Sequence, residues 1–475
     1  MVQRMTAAVL YFLVSMVLAS TALSQEPPGV AWEFVYPPSS NDQGTLGAAY
    51  RVIQLEDGSY ALAGEYSLPF TSVFCLIRLN QYGNPYWAWT GDTAGISSVR
   101  WVEEDSGSLI ATGSWNNVSG RRMMLARVSY DGNTIWRKTY NQLERSWGMC
   151  LTVLPDSDII AGGRAYSESS YIPLLIRTDS EGNLIFSKAY DEYNGTIVRV
   201  MYHNDMIYAF INTINEAPLL MAVNRYTLSK EWVVDYAEQL PEDEGSICEP
   251  NSQSGILMVA GGVQARLNDD GQILWESQPP GSDNRTLHSA SSTYDGGYIL
   301  SGIVNMSLEP GREIHPYDGW LVRTDGFGNT LWWLADSNGS ENTFYYSAEQ
   351  TDGGGYIVGG SRCFPNGKRA LLVVRYESET GIESGDSRFQ TSLMAVPNPF
   401  ENTLNISYSI GEFSEVSLRV LDLSGREMVT LVSGQTASGS ETATWTPAIA
   451  IPEGCYLLVL DACGERIIRR TVLLR

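Results

Sequence analysis

The 475-residue sequence contains few of the residues on which metal sites and many catalytic sites depend. It has 3 histidines and 6 cysteines, and no two cysteines are spaced as Cys-x-x-Cys. A zinc site is therefore not expected. No glycine-rich loop ends in Gly-Lys-Ser or Gly-Lys-Thr, which excludes a P-loop for nucleotide phosphates. The sequence predicts no metal site and no cofactor.

Positive charge is also scarce. Lysine and arginine number 31 against 54 aspartates and glutamates, and the formal net charge is −23. A chain with this excess of negative charge repels phosphate backbones, so nucleic acid is not an expected partner. Hydrophobic residues make up 43% of the chain, which excludes wholesale disorder. The length is sufficient for two or more domains.

Residues 1–24 have the pattern of a secretory signal peptide. Arg4 precedes an apolar stretch from Ala7 to Ala19, and Ala22-Leu23-Ser24 supplies the small residues of a cleavage site. A membrane anchor is the alternative, but the apolar stretch is shorter than the ~20 residues that span a bilayer. We expect export through the periplasm and a mature chain without a membrane span. Export permits disulfides, and Cys455 and Cys463 could pair.

An internal repeat is the most informative feature of the sequence. Its best conserved part is an apolar run that ends in a small residue, and Gly64, Gly113 and Gly162 close three such runs at intervals of 49 residues. The copies are Gly58–Gly64, Gly107–Gly113, Asp156–Gly162, the degenerate Met206–Ile211, Gly255–Gly261, Gly296–Gly302 and Gly354–Gly360. A recurring period of this length indicates a repeat architecture.

Each unit continues into a polar turn and an aromatic strand, as in Asp131-Gly-Asn133 before Trp136. Glycine and aspartate suit a hairpin turn, and the carboxylates do not recur at the alternate positions of a calcium loop. Four short strands in about 45–50 residues is the size of a propeller blade. Residues 25–386 are therefore predicted to form a seven-bladed β-propeller.

The seventh unit lacks its aromatic strand. Trp32-Glu-Phe-Val-Tyr36, near the N-terminus, has the pattern of that strand and matches Trp136–Tyr140. We predict that it forms the outer strand of the last blade and closes the ring, because an open blade would leave an edge prone to aggregation.

Residues 387–475 have a different pattern. Leu404, Ile406, Tyr408 and Ile410 alternate with polar residues, and Val416–Val420 does the same. Period-2 segments separated by turns over about 85 residues predict a small β-sandwich.

Five motifs of this tail occur together: Pro397–Phe400, the strand 416–420, Leu423–Arg426, Gly454–Tyr456 and Thr471–Arg475. As a set they resemble the C-terminal sorting domain of type IX secretion cargo. The resemblance implies an immunoglobulin-like module that the type IX machinery recognises, and delivery to the outer cell surface or the medium. Cys455 is a departure, since the family usually has valine or isoleucine there. Asp295–Leu300 resembles secreted propeller repeats of the same bacteria, which mostly have no assigned activity.

No local pattern of catalytic residues is present. His203, His288 and His315 have no serine or cysteine at a telling spacing, and each is expected to have a surface or packing role. In a propeller, the connections between strands b and c and between successive blades emerge on one face, where ligands commonly bind. The aromatic and polar residues expected there form the candidate ligand-binding set: Trp115, Arg145, Trp147, Tyr166, Tyr171, Arg312, His315 and Tyr317.

The leading hypothesis is a non-catalytic propeller, secreted or at the cell surface, that binds a protein or glycan through these residues. One alternative is a polysaccharide hydrolase or lyase whose catalytic residues come from several blades. The other is a structural component of the cell envelope. The ligand, the oligomeric state and the fate of the tail after export stay open.

Overall fold

The computed structural model describes residues 27–36, 46–68, 71–89, 97–117, 120–140, 145–214, 216–237, 245–248, 255–280, 285–305, 317–336, 341–379, 392–396, 400, 402–422, 425–448, 451–462 and 465–473. The predicted signal peptide and the predicted boundary at 386/387 lie outside them. The chain divides into two compact units, 1–380 and 381–475. The described residues are all β, with no helix.

The first unit consists of seven four-stranded antiparallel sheets, which are propeller blades as the repeat predicts. Six sheets are formed by consecutive strands. The first three contain β2 (Leu46–Gln54), β3 (Tyr60–Leu68), β4 (Thr71–Leu79), β5 (Pro85–Trp89); β6 (Ser97–Asp105), β7 (Ser108–Asn117), β8 (Gly120–Ser129), β9 (Thr134–Tyr140); and β10 (Arg145–Val153), β11 (Ile159–Ser167), β12 (Ser170–Thr178), β13 (Leu184–Ala189).

The next three sheets contain β14 (Gly195–His203), β15 (Met206–Thr213), β16 (Leu219–Asn224), β17 (Lys230–Asp235); β18 (Gly245–Cys248), β19 (Ile256–Ala260), β20 (Val263–Leu267), β21 (Ile273–Ser277); and β22 (Arg285–Ser292), β23 (Tyr298–Asn305), β24 (Tyr317–Thr324), β25 (Thr330–Asp336). The first strand of each sheet packs against the sheets on either side, and the seventh sheet also packs against the first.

The seventh sheet combines strands from both ends of the first unit. It contains β26 (Asn342–Gln350), β27 (Tyr356–Cys363), β28 (Arg369–Tyr376) and the N-terminal β1 (Val30–Tyr36). β1 pairs antiparallel with β28 from Val30 opposite Tyr376 to Tyr36 opposite Leu371. The carboxylate of Glu33 in β1 also accepts two hydrogen bonds from Arg362 in β27, at 3.0 and 3.1 Å. β1 therefore takes the place of the missing fourth strand.

A glycine and a tryptophan join neighbouring blades. The Trp87 ring packs against Gly132 of the next blade, Trp136 against Gly182, and Trp275 against Gly328. Trp32 of β1 makes the same contact with Gly83 of the first blade, and its indole N–H donates to the Gln81 carbonyl at 3.0 Å. The glycines and tryptophans that define the repeat therefore also form contacts between neighbouring blades.

The second unit is a five-stranded antiparallel sheet. Its strands are β29 (Ser392–Val396), β30 (Leu404–Asp422), β31 (Glu427–Trp445), β32 (Gly454–Ala462) and β33 (Glu465–Leu473). The runs at 404–410 and 416–420, expected as separate strands, belong to one 19-residue strand whose register shifts between Ile410 and Ser414. Phe400 is buried and packs on Trp445, with ring centroids 5.3 Å apart. Cys455 is a free thiol.

Candidate functional site

A β-bulge recurs in the first strand of six blades. The register of this strand skips one residue at the same point each time, and the skipped residues are Tyr50, Arg100, Met149, Val198, His288 and Tyr346. A bulge sets two residues opposite one and redirects a side chain without ending the strand. Four of the six skipped residues carry polar or aromatic side chains that meet one another.

Tyr50 and its neighbours form the first part of the site. The Tyr50 hydroxyl donates to a Glu65 carboxylate oxygen at 2.5 Å, and Arg100 lies 3.5 Å from the other oxygen. The Arg100 guanidinium also stacks over the Tyr50 ring at 3.8 Å. On its other side, Tyr50 contacts Tyr346, with ring centroids 5.6 Å apart. Burial raises the pKa of Tyr50, so its phenol stays protonated.

His288 extends this group. Its ring stacks on Tyr346 with centroids 5.7 Å apart and an interplanar angle of 26°. Its Nδ1–H donates to the Tyr345 carbonyl at 2.9 Å, which leaves Nε2 as the acceptor of the neutral ring. The packing role expected for this histidine is present, and it places an imidazole against the Tyr346 ring, which in turn contacts Tyr50.

The third blade supplies the second part of the site. The Trp147 and Tyr171 rings meet edge to face at 5.8 Å, and Tyr166 meets Tyr171 in the same way at 5.4 Å. Arg164 lies 5.0 Å from the Trp147 ring and 4.1 Å from the Tyr171 ring. Arg121, from the second blade, lies 5.8 Å from Trp147. These contacts are cation–π interactions.

The two parts are coupled by charge. Burial lowers the pKa of both Arg121 and Arg164. The positive charge of Arg100 lowers each further, whereas the carboxylate of Glu65 opposes the change at Arg121. We name the combined set the arginine–aromatic cluster: Tyr50, Glu65, Arg100, Arg121, Trp147, Arg164, Tyr171, His288 and Tyr346.

The structure brings together four of the eight sequence-predicted ligand residues. Arg145, Trp147, Tyr166 and Tyr171 lie in or beside the arginine–aromatic cluster, with the Arg145 guanidinium 6.0 Å from the Tyr166 ring. Trp115 instead contacts Arg137 at 4.3 Å, and Tyr317 contacts Phe344 at 5.7 Å. Arg312 and His315 lie outside the described residues.

The expectation that these residues sit in loops was wrong for those that are described. Trp115, Arg145, Trp147, Tyr166, Tyr171 and Tyr317 all lie within strands. For Tyr166 and Tyr171 the reason is a short connection between strands. Between β11 and β12 only Glu168 and Ser169 form the turn, both with positive φ, so the strands extend almost to the tip.

Among the described residues, no group of three or more histidine, cysteine, aspartate or glutamate side chains could hold a metal ion. The same residues include no helix long and apolar enough to cross a membrane.

Comparison with known proteins identifies the second unit. Residues 395–473 match the family described as the secretion system C-terminal sorting domain. The tail therefore is a type IX sorting domain, and it indicates export to the cell surface or to the medium. A search of curated proteins gave no match.

The solved structures to which the chain is similar have little sequence identity with it. The WD40 domain of Pan2 from Neurospora crassa is 10% identical, with a TM-score of 0.46, over 75% of this chain and 99% of that one. A member of the DUF4221 family from Bacteroides vulgatus is 11% identical, with a TM-score of 0.39, over 74% and 99%. A protein of unknown function from Bacteroides caccae is 11% identical, with a TM-score of 0.39, over 55% and 90%.

Proposed function

We propose that this exported propeller binds a carboxylate-bearing glycan at the arginine–aromatic cluster and does not turn it over. The observation that carries the proposal is that the positive charges of Arg100, Arg121 and Arg164 act on one another, while the Glu65 carboxylate contacts Arg100 and acts on Arg121. The protein as a whole has a net charge of −23, so this concentration of positive charge is local.

An anionic ligand would stabilise the positive charges of two arginines, which are destabilised in the free protein. Burial and mutual repulsion lower the pKa of Arg121 and Arg164, which means that the charged forms are destabilised in place. The Nε of Arg164 is also buried and lacks a hydrogen-bond partner among the described residues. A carboxylate can accept from guanidinium N–H groups and offset both effects.

The aromatic rings favour a sugar as the carrier of that carboxylate. Trp147, Tyr171 and Tyr346 are partly exposed. The first two contact Arg164, and Tyr346 contacts Tyr50, over which Arg100 stacks. Rings with an apolar face and a polar edge suit sugars, which present both apolar faces and hydroxyl groups. Arginine and aromatic residues are also the side chains that most often dominate binding energy.

Catalysis is the second candidate, because Tyr50, Arg100 and His288 gather near Tyr346. A lyase would need a tyrosine or histidine that accepts a proton readily. Burial raises the pKa of Tyr50, which opposes that role, and its hydroxyl already donates to Glu65. These two facts support binding over turnover.

The test is calorimetric titration of the chain from residue 25 with oligogalacturonate and with a neutral oligosaccharide of equal length. Arg164→Met keeps an apolar stem against Trp147 and Tyr171 but removes the charge. It should weaken binding of the acidic oligosaccharide by about 1–3 kcal/mol, roughly 5- to 150-fold. Arg137→Met, which removes a similar arginine–tryptophan contact at Trp115, is the matched control and should bind like the parent.

Equal binding of the neutral oligosaccharide, or no effect of Arg164→Met, would contradict the proposal. Binding of polyglutamate without binding of any uronate would show that the ligand is an acidic peptide. Release of unsaturated products, followed by ultraviolet absorbance, would show a lyase instead.

A further inference from the structure

A cavity of about 370 Å³ lies among the first strands of the blades and is separate from the arginine–aromatic cluster. Its lining includes Arg51, Thr152, Arg199, Ser291 and Glu349, which come from five blades. Each of the five lies one to three residues after the bulge of its strand, whereas four members of the cluster are bulged residues themselves.

Two arginines make cation–π contacts with the same tryptophan ring, that of Trp101. The guanidinium carbon of Arg51 lies 4.8 Å from the Trp101 ring centroid, and that of Arg199 lies 4.2 Å from it. The two positive charges are close enough that Arg51 contributes, after burial, to lowering the pKa of Arg199 to about 10. A cation held in this way attracts any anion that can reach it.

The carboxylates nearby are already engaged. Glu349 accepts from Arg51 at 3.1 Å and from the backbone N–H of Gln54 at 2.9 Å. Glu103 accepts from the Trp101 indole at 3.1 Å and from the backbone N–H of Val153 at 3.3 Å. Arg199 itself donates through Nε to the Ile247 carbonyl at 3.3 Å.

Two donors stay unused. Nη1 of Arg199 and Nε of Arg51 are buried and lack a hydrogen-bond partner among the described residues. Buried guanidinium donors are costly to leave unpaired, so a site that retains them needs an explanation. Both residues line the cavity, beside the polar side chains of Thr152 and Ser291.

We propose that this cavity binds a small monocarboxylate, with its carboxyl group on Arg199 and its polar remainder toward Thr152 and Ser291. The volume exceeds what a lone ion occupies and falls within the range of small-molecule pockets, about 300–1,000 Å³. The adjacent carboxylates of Glu103 and Glu349 repel a dianion such as phosphate more strongly than a monoanion. The site is independent of the glycan proposed above.

Trp101 provides a direct readout, since it contacts both arginines. The probes are acetate, benzoate and lactate, with lactamide as the neutral match for lactate and inorganic phosphate as the dianion. We expect a saturable change in tryptophan fluorescence with at least one carboxylate and none with lactamide. Arg199→Met should weaken that binding at least tenfold, whereas Arg137→Met, at a residue outside this cavity and outside the arginine–aromatic cluster, should leave it unchanged.

Ser291→Leu keeps both arginines and fills part of the cavity, so it tests the site if Arg199→Met fails to fold. It should also abolish the response. The proposal is overturned if no carboxylate gives a saturable response, if phosphate alone binds, or if the folded Ser291→Leu variant binds like the parent.

Discussion

At the scale of single residues, the repeat is maintained by contacts between blades. The glycine of a polar turn was predicted from its need for positive φ, and Gly132 does have a φ of 83°. Its second role, as the surface on which Trp87 of the preceding blade packs, requires knowledge of which blades are neighbours. Turn chemistry is local and can be predicted from sequence, whereas packing between units 40–50 residues apart cannot.

This double role predicts a difference between two glycines. Gly132→Ala should lower the free energy of unfolding by about 2–4 kcal/mol, because positive φ costs about 1 kcal/mol and displacement of a packed ring costs about 1–3 kcal/mol more. A Cβ there would lie 2.9 Å from Trp87, whose indole is held by the Tyr130 carbonyl at 2.7 Å. Gly58 has a φ of 78° but open space around it, so Gly58→Ala should cost only about 1 kcal/mol. If urea denaturation gave the same decrease in the free energy of unfolding for both variants, the contact with the tryptophan ring would be unimportant for stability.

Glu104 predicts a dependence of stability on pH. Burial, reinforced by the charges of Glu56 and Asp57, raises its pKa to about 7. A glutamate in the unfolded chain has a pKa of about 4.3. Between this pKa and that of the native state, the native state binds more protons than the unfolded state, so the stability of the protein falls as pH rises. Glu104→Gln removes this titration and still accepts from the Glu56 N–H.

The difference in melting temperature between Glu104→Gln and the parent should therefore change with pH. From about pH 5 to about pH 8, the variant should become more stable relative to the parent. A difference that is constant with pH would contradict the raised pKa.

At the scale of elements, the blades could be predicted and the bulges could not. The second strand of each blade carries a clear apolar run, so seven copies were found. A bulge adds one residue to a strand and breaks its alternation without leaving a composition signal. Tyr50, Arg100, His288 and Tyr346 were missed for this reason, and Arg121 and Arg164 were missed because arginines in strands usually face solvent. Trp147 and Tyr171 of the cluster, and Tyr166 beside it, could be predicted because they lie close to the connections between strands.

β1 is the element whose loss should matter most. Deleting Val30–Tyr36 exposes the edge of β28 and removes the Trp32 contact and the Glu33–Arg362 ion pair. We expect aggregation, or a loss of about 3–5 kcal/mol in the free energy of unfolding, since an unpaired apolar strand is both unsatisfied and adhesive. Val30→Ser, at a side chain 51% exposed, is the control and should change stability by less than about 0.5 kcal/mol. A truncated chain that melts like the parent would show that β1 is not needed to close the ring.

At the scale of the whole molecule, the chain consists of two units with separate cores. The core of the tail is formed by its own residues, among them Phe400, Val416, Leu418, Trp445 and Tyr456. The sorting motifs could be found from sequence because they are local, and Phe400 shows that such a motif can also be a core residue. The proposed binding site of the propeller could not be found from sequence, because it combines residues from several blades.

Separate cores predict that export and folding can be uncoupled. Removing residues 390–475 should leave a propeller whose melting temperature matches that of the intact chain, because each domain carries its own hydrophobic core. The same truncation should stop the protein in the periplasm, since the type IX machinery recognises the sorting domain. Fractionation of the native host, with the intact chain as the control, measures the second effect, and circular dichroism of the purified fragment measures the first. Delivery of the truncated chain to the surface would show that another part of the protein directs export, and an unfolded fragment would show that the propeller depends on its tail.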